Sequence, residues 1–89
     1  MAGQPDIVVY SLELCPNCDQ LKEFLAGNGF SYRECDMSSA ESLTELRVNG
    51  VFAREAPVLQ VGNRFLTHTD LFSAGSIRED RLRPLLMGD

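Results

Sequence analysis

No stretch of this sequence approaches the roughly 20 apolar residues that span a bilayer. Its start, Met1-Ala2-Gly3-Gln4-Pro5-Asp6, lacks the charged and apolar regions of a secretory leader. Both absences set the expectation of a cytoplasmic protein. Positive charge is scarce as well. Eight Lys and Arg against 13 Asp and Glu leave a net charge of -5, which disfavours nucleic acid and anionic membrane as partners and suits a protein partner with a basic docking face. Repeats, low-complexity tracts and linkers are missing, so 89 residues at 44% hydrophobic composition fit one domain, 1–89, around one core. A paired set of cysteines is missing too. Three is an odd number, which argues against a structural disulfide framework and points to chemistry or packing.

Two of the three stand in Cys15-Pro16-Asn17-Cys18, between the apolar run Ile7-Val8-Val9-Tyr10 and a helix-like segment. The run is short, β-branched and nearly continuous, as in a buried strand over 6–11. Leu21, Phe24 and Leu25 recur at helical spacing and Gly27-Asn28-Gly29 stops the pattern, so the spacing predicts a helix over 16–26. Cys15 then lies at a helix start, where unpaired amides and the positive end of the macrodipole stabilise a thiolate. Only the thiolate attacks a disulfide, and an ordinary cysteine of pKa about 8.5 is only about 3% ionised at pH 7. Cys15 and Cys18 fall on one face of a helical turn and can close a disulfide. Pro16 suits a first helical position, because its missing N–H would have no partner there.

Downstream, 30–36 reads as a second strand, parallel to the first through a right-handed crossover. Ser38 or Ser39 caps a second helix with Leu43, Leu46 and Val48 as its apolar residues, ending at Asn49-Gly50. A loop over 51–56 leads to a hairpin, 57–61 and 64–67, around Gly62-Asn63. Thr69 or Asp70 caps a short helical turn, and Ser76 with Glu79 has the form of a capping box opening a last helix over 77–87 that contains Pro84. The order βαβαββα with a cysteine pair after the first strand predicts an α/β, thioredoxin-like fold: a four-stranded mixed sheet flanked by helices.

Cys15-Pro16-Asn17-Cys18, Ala56-Pro57 before a strand, the Gly-Asn hairpin and the closing Leu82-Arg83-Pro84-Leu85-Leu86 together resemble the glutaredoxin family over nearly the whole chain. The resemblance implies that Cys15 is the nucleophile, that Cys18 resolves the mixed disulfide, and that Pro57 is cis and lies beside the pair. Ala56 is then free to pair main chain to main chain with an extended substrate. Candidate substrate-contacting residues are Pro16, Asn17, Ala56, Pro57, Thr69 and Asp70. The implied activity is dithiol–disulfide exchange on protein substrates by a monomeric electron carrier, with no cofactor. The metal reading of the cysteines fails as a zinc ribbon, because the position three beyond Cys35 is Ser38. A non-catalytic module that holds a metal or an iron–sulfur cluster on Cys15 and a bridging thiol across a dimer is the alternative of a different class.

Departures from the family pattern concern the electron donor. Glutaredoxins that use glutathione commonly carry a lysine three residues before the first cysteine, and Gly-Gly followed by Asp before the third helix. Here those places hold Leu12 and Thr67-His68-Thr69-Asp70. Asp70 either holds the amino group of a γ-glutamyl moiety or caps the helix, and the cap is the preferred reading. The charges nearest Cys15 in sequence, Glu13 and Asp19, are acidic and oppose a thiolate. These features favour a protein disulfide reductase over glutathione as donor. Cys35 reads as a packed strand cysteine and His68 as a polar turn residue.

Overall fold

The computed structural model describes residues 5–52 and 54–87. Residues 1–4, from which the expectation about a leader was drawn, lie outside them. Strand β1, Ile7–Ser11, is buried along its whole length. It pairs in parallel with β2, Arg33–Asp36, and antiparallel with β3, Val58–Val61, while β3 pairs antiparallel with β4, Arg64–Leu66. The sheet order is therefore β2-β1-β3-β4, the predicted four-stranded mixed sheet.

Because side chains alternate across a strand, β1 supplies two cores. Ile7 and Val9 face a cluster with Leu21 and Leu25 of helix α1 (Pro16–Gly27), Leu59 of β3, Leu71 of α3 (His68–Leu71), and Leu82 and Leu86 of α4 (Glu79–Met87). Val8 and Tyr10 face the other way, onto Met37, Val58 and Leu46 of α2 (Ala40–Val48). Cys35 is half-buried and packs against this second cluster. No helix among the described residues is long and apolar enough to cross a membrane.

Several boundaries differ from the sequence expectation, each for a local reason. β2 starts at Arg33 and not at Phe30, because the Phe30 amide is taken by the end of α1. Gly29 adopts φ 80, its N–H donates to Ala26 O at 3.1 Å, and the Phe30 N–H donates to Leu25 O at 2.9 Å. This is a Schellman closure, which a glycine in the left-handed region permits. In α2 the cap is Ser39, whose hydroxyl accepts from Ser42 N–H at 3.1 Å. Only Ser42 and Leu46, one turn apart, are buried on α2; Leu43 and Val48 point outward, so its apolar face is a single narrow stripe. The cap of α3 is Thr67, not Thr69 or Asp70, with Asp70 Oδ2 accepting the Thr67 N–H at 3.0 Å.

The capping box expected from Ser76 and Glu79 does not form. Ser76–Ile77 is instead strand β6, paired antiparallel with β5, Phe72–Ser73, and α4 begins at Glu79. Ala74 (φ 52) and Gly75 (φ 81) make the connecting turn, both in the left-handed region that two-residue hairpins require. Alanine is a weak signal for that conformation, so the sequence did not announce the hairpin.

One polar cluster ties α1 to the sheet. The Ser11 hydroxyl donates to Glu34 Oε2 at 2.6 Å, and Lys22 Nζ reaches the same oxygen at 3.0 Å. The Ser11 hydroxyl, and after it Lys22, hold the Glu34 carboxyl below its usual range. A depressed carboxyl contributes stability above its unfolded-state pKa, about 4.3, and loses it as pH falls through the lower folded value. Glu34→Gln should therefore cost at most about 1 kcal/mol at pH 7, since the pair is half-exposed. The gap from wild type should close by about pH 3. Urea unfolding at pH 7, 5 and 3 measures it; a gap independent of pH would contradict the linkage.

Candidate active site

Cys15 is the N-cap of α1, with extended backbone (φ -118, ψ 98), and the Cys18 N–H points at its sulfur from 3.1 Å. An amide aimed at a capping sulfur is the local source of thiolate stabilisation, reinforced by the helix start. Pro16 follows in the first turn and lies exposed. The residue before the pair, Leu14, holds φ 54 and is fully exposed. Cys15 and Cys18 are joined as a disulfide with their Cα atoms 5.2 Å apart. Their exposures differ: Cys15 is half-buried, while Cys18 is only 1% exposed and contributes to the interior.

The second wall comes from a distant part of the chain. Ala56-Pro57 is a cis peptide, and Ala56 O lies 3.9 Å from Cys15 Sγ. Pro57 is buried at the entry to β3, and Ala56 is half-buried. Beside this loop runs an open groove of about 320 Å³, lined by Phe52, Arg54, Glu55, Thr67, His68 and Thr69 among others. Thr69 is exposed on its rim. Asp70 is turned to structure: Oδ2 takes the Thr67 N–H at 3.0 Å and Oδ1 faces Arg81 at 3.6 Å. Both carboxylate oxygens already have partners, as the capping alternative expects.

His68 is the residue that the sequence reading missed. Its sequence context suggests a plain polar turn, yet its Nε2 lies 3.1 Å from Asn17 Nδ2, inside the cysteine motif. Its Nδ1 lies 3.4 Å from Glu55 Oε1, and its ring stacks on Phe72 with centroids 5.3 Å apart. Nothing in the local sequence marks this contact, because it joins segments 51 residues apart.

The nearby cation is already engaged. Lys22 Nζ sits between Glu34 Oε2 at 3.0 Å and Asp19 Oδ1 at 3.7 Å, and the Glu34 hydrogen bond raises its pKa. Leu12, 42% exposed, shares a surface concavity with Glu13, Asp19 and Glu34. Among the described residues no group of three His, Cys, Asp or Glu side chains is placed to hold a metal ion.

A helix-capping cysteine pair beside a cis-proline loop on this sheet has a counterpart among known proteins: the glutaredoxin family's sequence model matches residues 7–66. The chain belongs to the glutaredoxin family. An N-acetyl-S-hydroxy-L-cysteine reductase of Bacillus subtilis (strain 168) is 31% identical over 62 residues, covering 70% of this chain and 67% of that protein. Three solved structures share the fold. A point mutant of a thioredoxin-like protein has a TM-score of 0.69 at 23% identity, covering 90% of this chain and 92% of its own. The glutaredoxin-like NrdH-redoxin of Escherichia coli, described as having a thioredoxin-like activity profile, gives 0.58 at 21% over 70% and 80%. A glutaredoxin of Archaeoglobus fulgidus gives 0.62 at 21% over 93% and 87%. This glutaredoxin is a thiol–disulfide oxidoreductase with a Cys15–Cys18 disulfide.

Its acidic surround bears on redox poise. Stabilising the thiolate favours the dithiol form and makes a redoxin more oxidising, so withholding cations makes it more reducing. The potential should lie nearer the thioredoxin value of about -270 mV than the glutaredoxin range of about -200 to -230 mV. Leu12→Lys should raise it and lower the Cys15 pKa. Titration against a dithiothreitol buffer, with thiolate absorbance followed against pH, measures both. A wild-type potential above about -220 mV that Leu12→Lys leaves unchanged would exclude local charge as the determinant.

Proposed function

We propose that this glutaredoxin reduces disulfides of protein substrates in two steps. Cys15 thiolate attacks a substrate sulfur, one substrate thiolate leaves, and a mixed disulfide forms on Cys15. Cys18 thiolate then attacks the Cys15 sulfur, the second substrate thiolate leaves, and the Cys15–Cys18 disulfide remains. The observation that carries this division is the burial of Cys18 behind a half-exposed Cys15 whose sulfur caps the helix. A buried thiol suits an intramolecular second step and excludes first attack on a macromolecule. Ala56, beside Cys15, pairs its main chain with an extended substrate segment. Pro16, Asn17, Pro57 and Thr69 complete the contact surface. Asp70 contributes only through its cap.

Two electrons must return the pair to the dithiol. We assign their supply to a protein disulfide reductase in the cytoplasm, where thiols are kept reduced. Three features support this donor over glutathione: Leu12 in place of a lysine, Asp70 occupied by Thr67 and Arg81, and the acidic rim. The protein works as a monomer and needs no cofactor for the exchange.

A second substrate class is favoured by the 31% identical reductase, whose named substrate is a small sulfenic acid. In that case Cys15 thiolate attacks the sulfenyl sulfur, hydroxide leaves and is protonated to water, and Cys18 resolves the same mixed disulfide. The groove beside Ala56, with Arg54 on its wall, has room for a small carboxylate-bearing thiol.

Cys15→Ser should abolish turnover, whereas Cys18→Ser should attack once and stay trapped as an adduct visible by intact mass. Adducts on Cys15→Ser and none on Cys18→Ser would reverse the assignment. For the donor, reduction of an insulin disulfide is expected to run at least about tenfold faster with a thioredoxin-type reductase and its nicotinamide reductant than with glutathione and its reductase. The opposite ratio would return the protein to the glutathione branch.

A further inference from the structure

The contacts of His68 span both walls of the site. On one side Asn17, between the two cysteines, approaches Nε2 through its carboxamide nitrogen at 3.1 Å. That nitrogen is a donor only, so Nε2 is the acceptor and the neutral ring carries its proton on Nδ1. Nδ1 is the nitrogen that faces Glu55 Oε1 at 3.4 Å, so the carboxylate and the amide select the same tautomer. Glu55 directly precedes Ala56, whose carbonyl lies 3.9 Å from Cys15 Sγ. Stacking on Phe72 fixes the ring plane, and the position at the start of capped α3 fixes the backbone beneath it.

We propose that His68 is a positioning residue for the exchange, holding the cysteine turn and the Ala56-Pro57 loop in register through Asn17 and Glu55. This rests on the reading that Cys15 attacks a disulfide presented along Ala56. In that reaction the attacking, attacked and leaving sulfurs lie close to one line. The turn carries the attacking sulfur and the loop carries the substrate strand. The offset between these two walls therefore sets the alignment, and small misplacements of reacting atoms are costly in rate. Each wall also has its own backbone anchor, α1 for the turn and β3 for the loop. Besides the approach of Cys15 Sγ to Ala56 O at 3.9 Å, the Asn17–His68–Glu55 chain joins the two walls among the described residues.

The test compares His68→Phe, His68→Gln, Asn17→Ala and the His68→Phe/Asn17→Ala double variant. Phenylalanine keeps the stack on Phe72 and removes both polar contacts, while glutamine offers an oxygen acceptor to Asn17. Two probes are used: a fluorogenic peptide disulfide with an extended segment beside the bond, and hydroxyethyl disulfide, which is too short to pair along Ala56. On the peptide, kcat/KM of His68→Phe and of Asn17→Ala should each fall about fivefold, the rate equivalent of one neutral hydrogen bond. The double variant should fall no further, because both changes break the same contact. His68→Gln should recover to within about twofold, and hydroxyethyl disulfide should report less than about a twofold loss for the His68 single variants.

Multiplied losses in the double variant, a glutamine variant as slow as phenylalanine, or equal losses on both probes would overturn the positioning role. Should His68→Phe not fold, Asn17→Ala and His68→Gln decide the matter by themselves. Cys15→Ser separates the two levels. Residual turnover there would refute the exchange reading, whereas an inactive Cys15→Ser alongside His68 variants at wild-type rates would refute only the role of His68.

Discussion

Burial of β1 on both faces is the constraint on which the other elements depend. A strand with alternating apolar and polar residues covers one face only, whereas Ile7, Val8, Val9 and Tyr10 leave no face for water. They require strands on both edges and helices on both sides. β2 and β3 supply the edges; α1 and α4 close one side and α2 the other. The chain leaving β1 must then turn back over the sheet, and that turn carries Cys15 to the start of α1. Reactivity is thus a consequence of where a fully buried strand ends.

The same geometry brings the second wall into place. β3 lies beside β1 in antiparallel register, Tyr10 opposite Val58, so the residues entering β3 arrive beside the residues leaving β1. Ala56 and Pro57 come to the cysteines for this reason, with no direct attraction needed between them. Around the sulfur, stabilisation of negative charge comes from the backbone: the Cys18 amide and the helix start. The neighbouring ammonium, Lys22, is held between Glu34 and Asp19, and the concavity beside Leu12 is lined mainly by Glu13, Asp19, Glu34, Asp36 and the apolar Leu12 and Leu14.

Much of this was legible in the residues because the relevant signals are local. The period of Leu21 and Leu25, the capping role open to Ser39, and the Gly62-Asn63 turn each act within a few residues, and spacing encodes them directly. Cys15-Pro16-Asn17-Cys18 at a helix start is a local statement of the same kind. Where local signals competed, the sequence misled. Ser76 and Glu79 have the form of a capping box, but Ala74 and Gly75 took the left-handed turn and drew Ser76 into a strand against Ser73. Leu43, Leu46 and Val48 read as the apolar residues of the second helix, but α2 presents only the Ser42–Leu46 stripe to the sheet.

By itself, then, the sequence determined the order of the four sheet strands and of the helices around them, the burial of β1 and the placing of a reactive cysteine pair at a helix start, since propensity, period and capping operate between near neighbours. Tertiary structure alone decided which side chains meet across the site. His68 reaches Asn17 across 51 residues, Cys15 reaches Ala56 across 41, and Asp70 is drawn to Arg81 instead of standing open to a ligand. Such meetings depend on how the elements stack and on their register, which packing of the whole core sets, and no spacing within one segment encodes them.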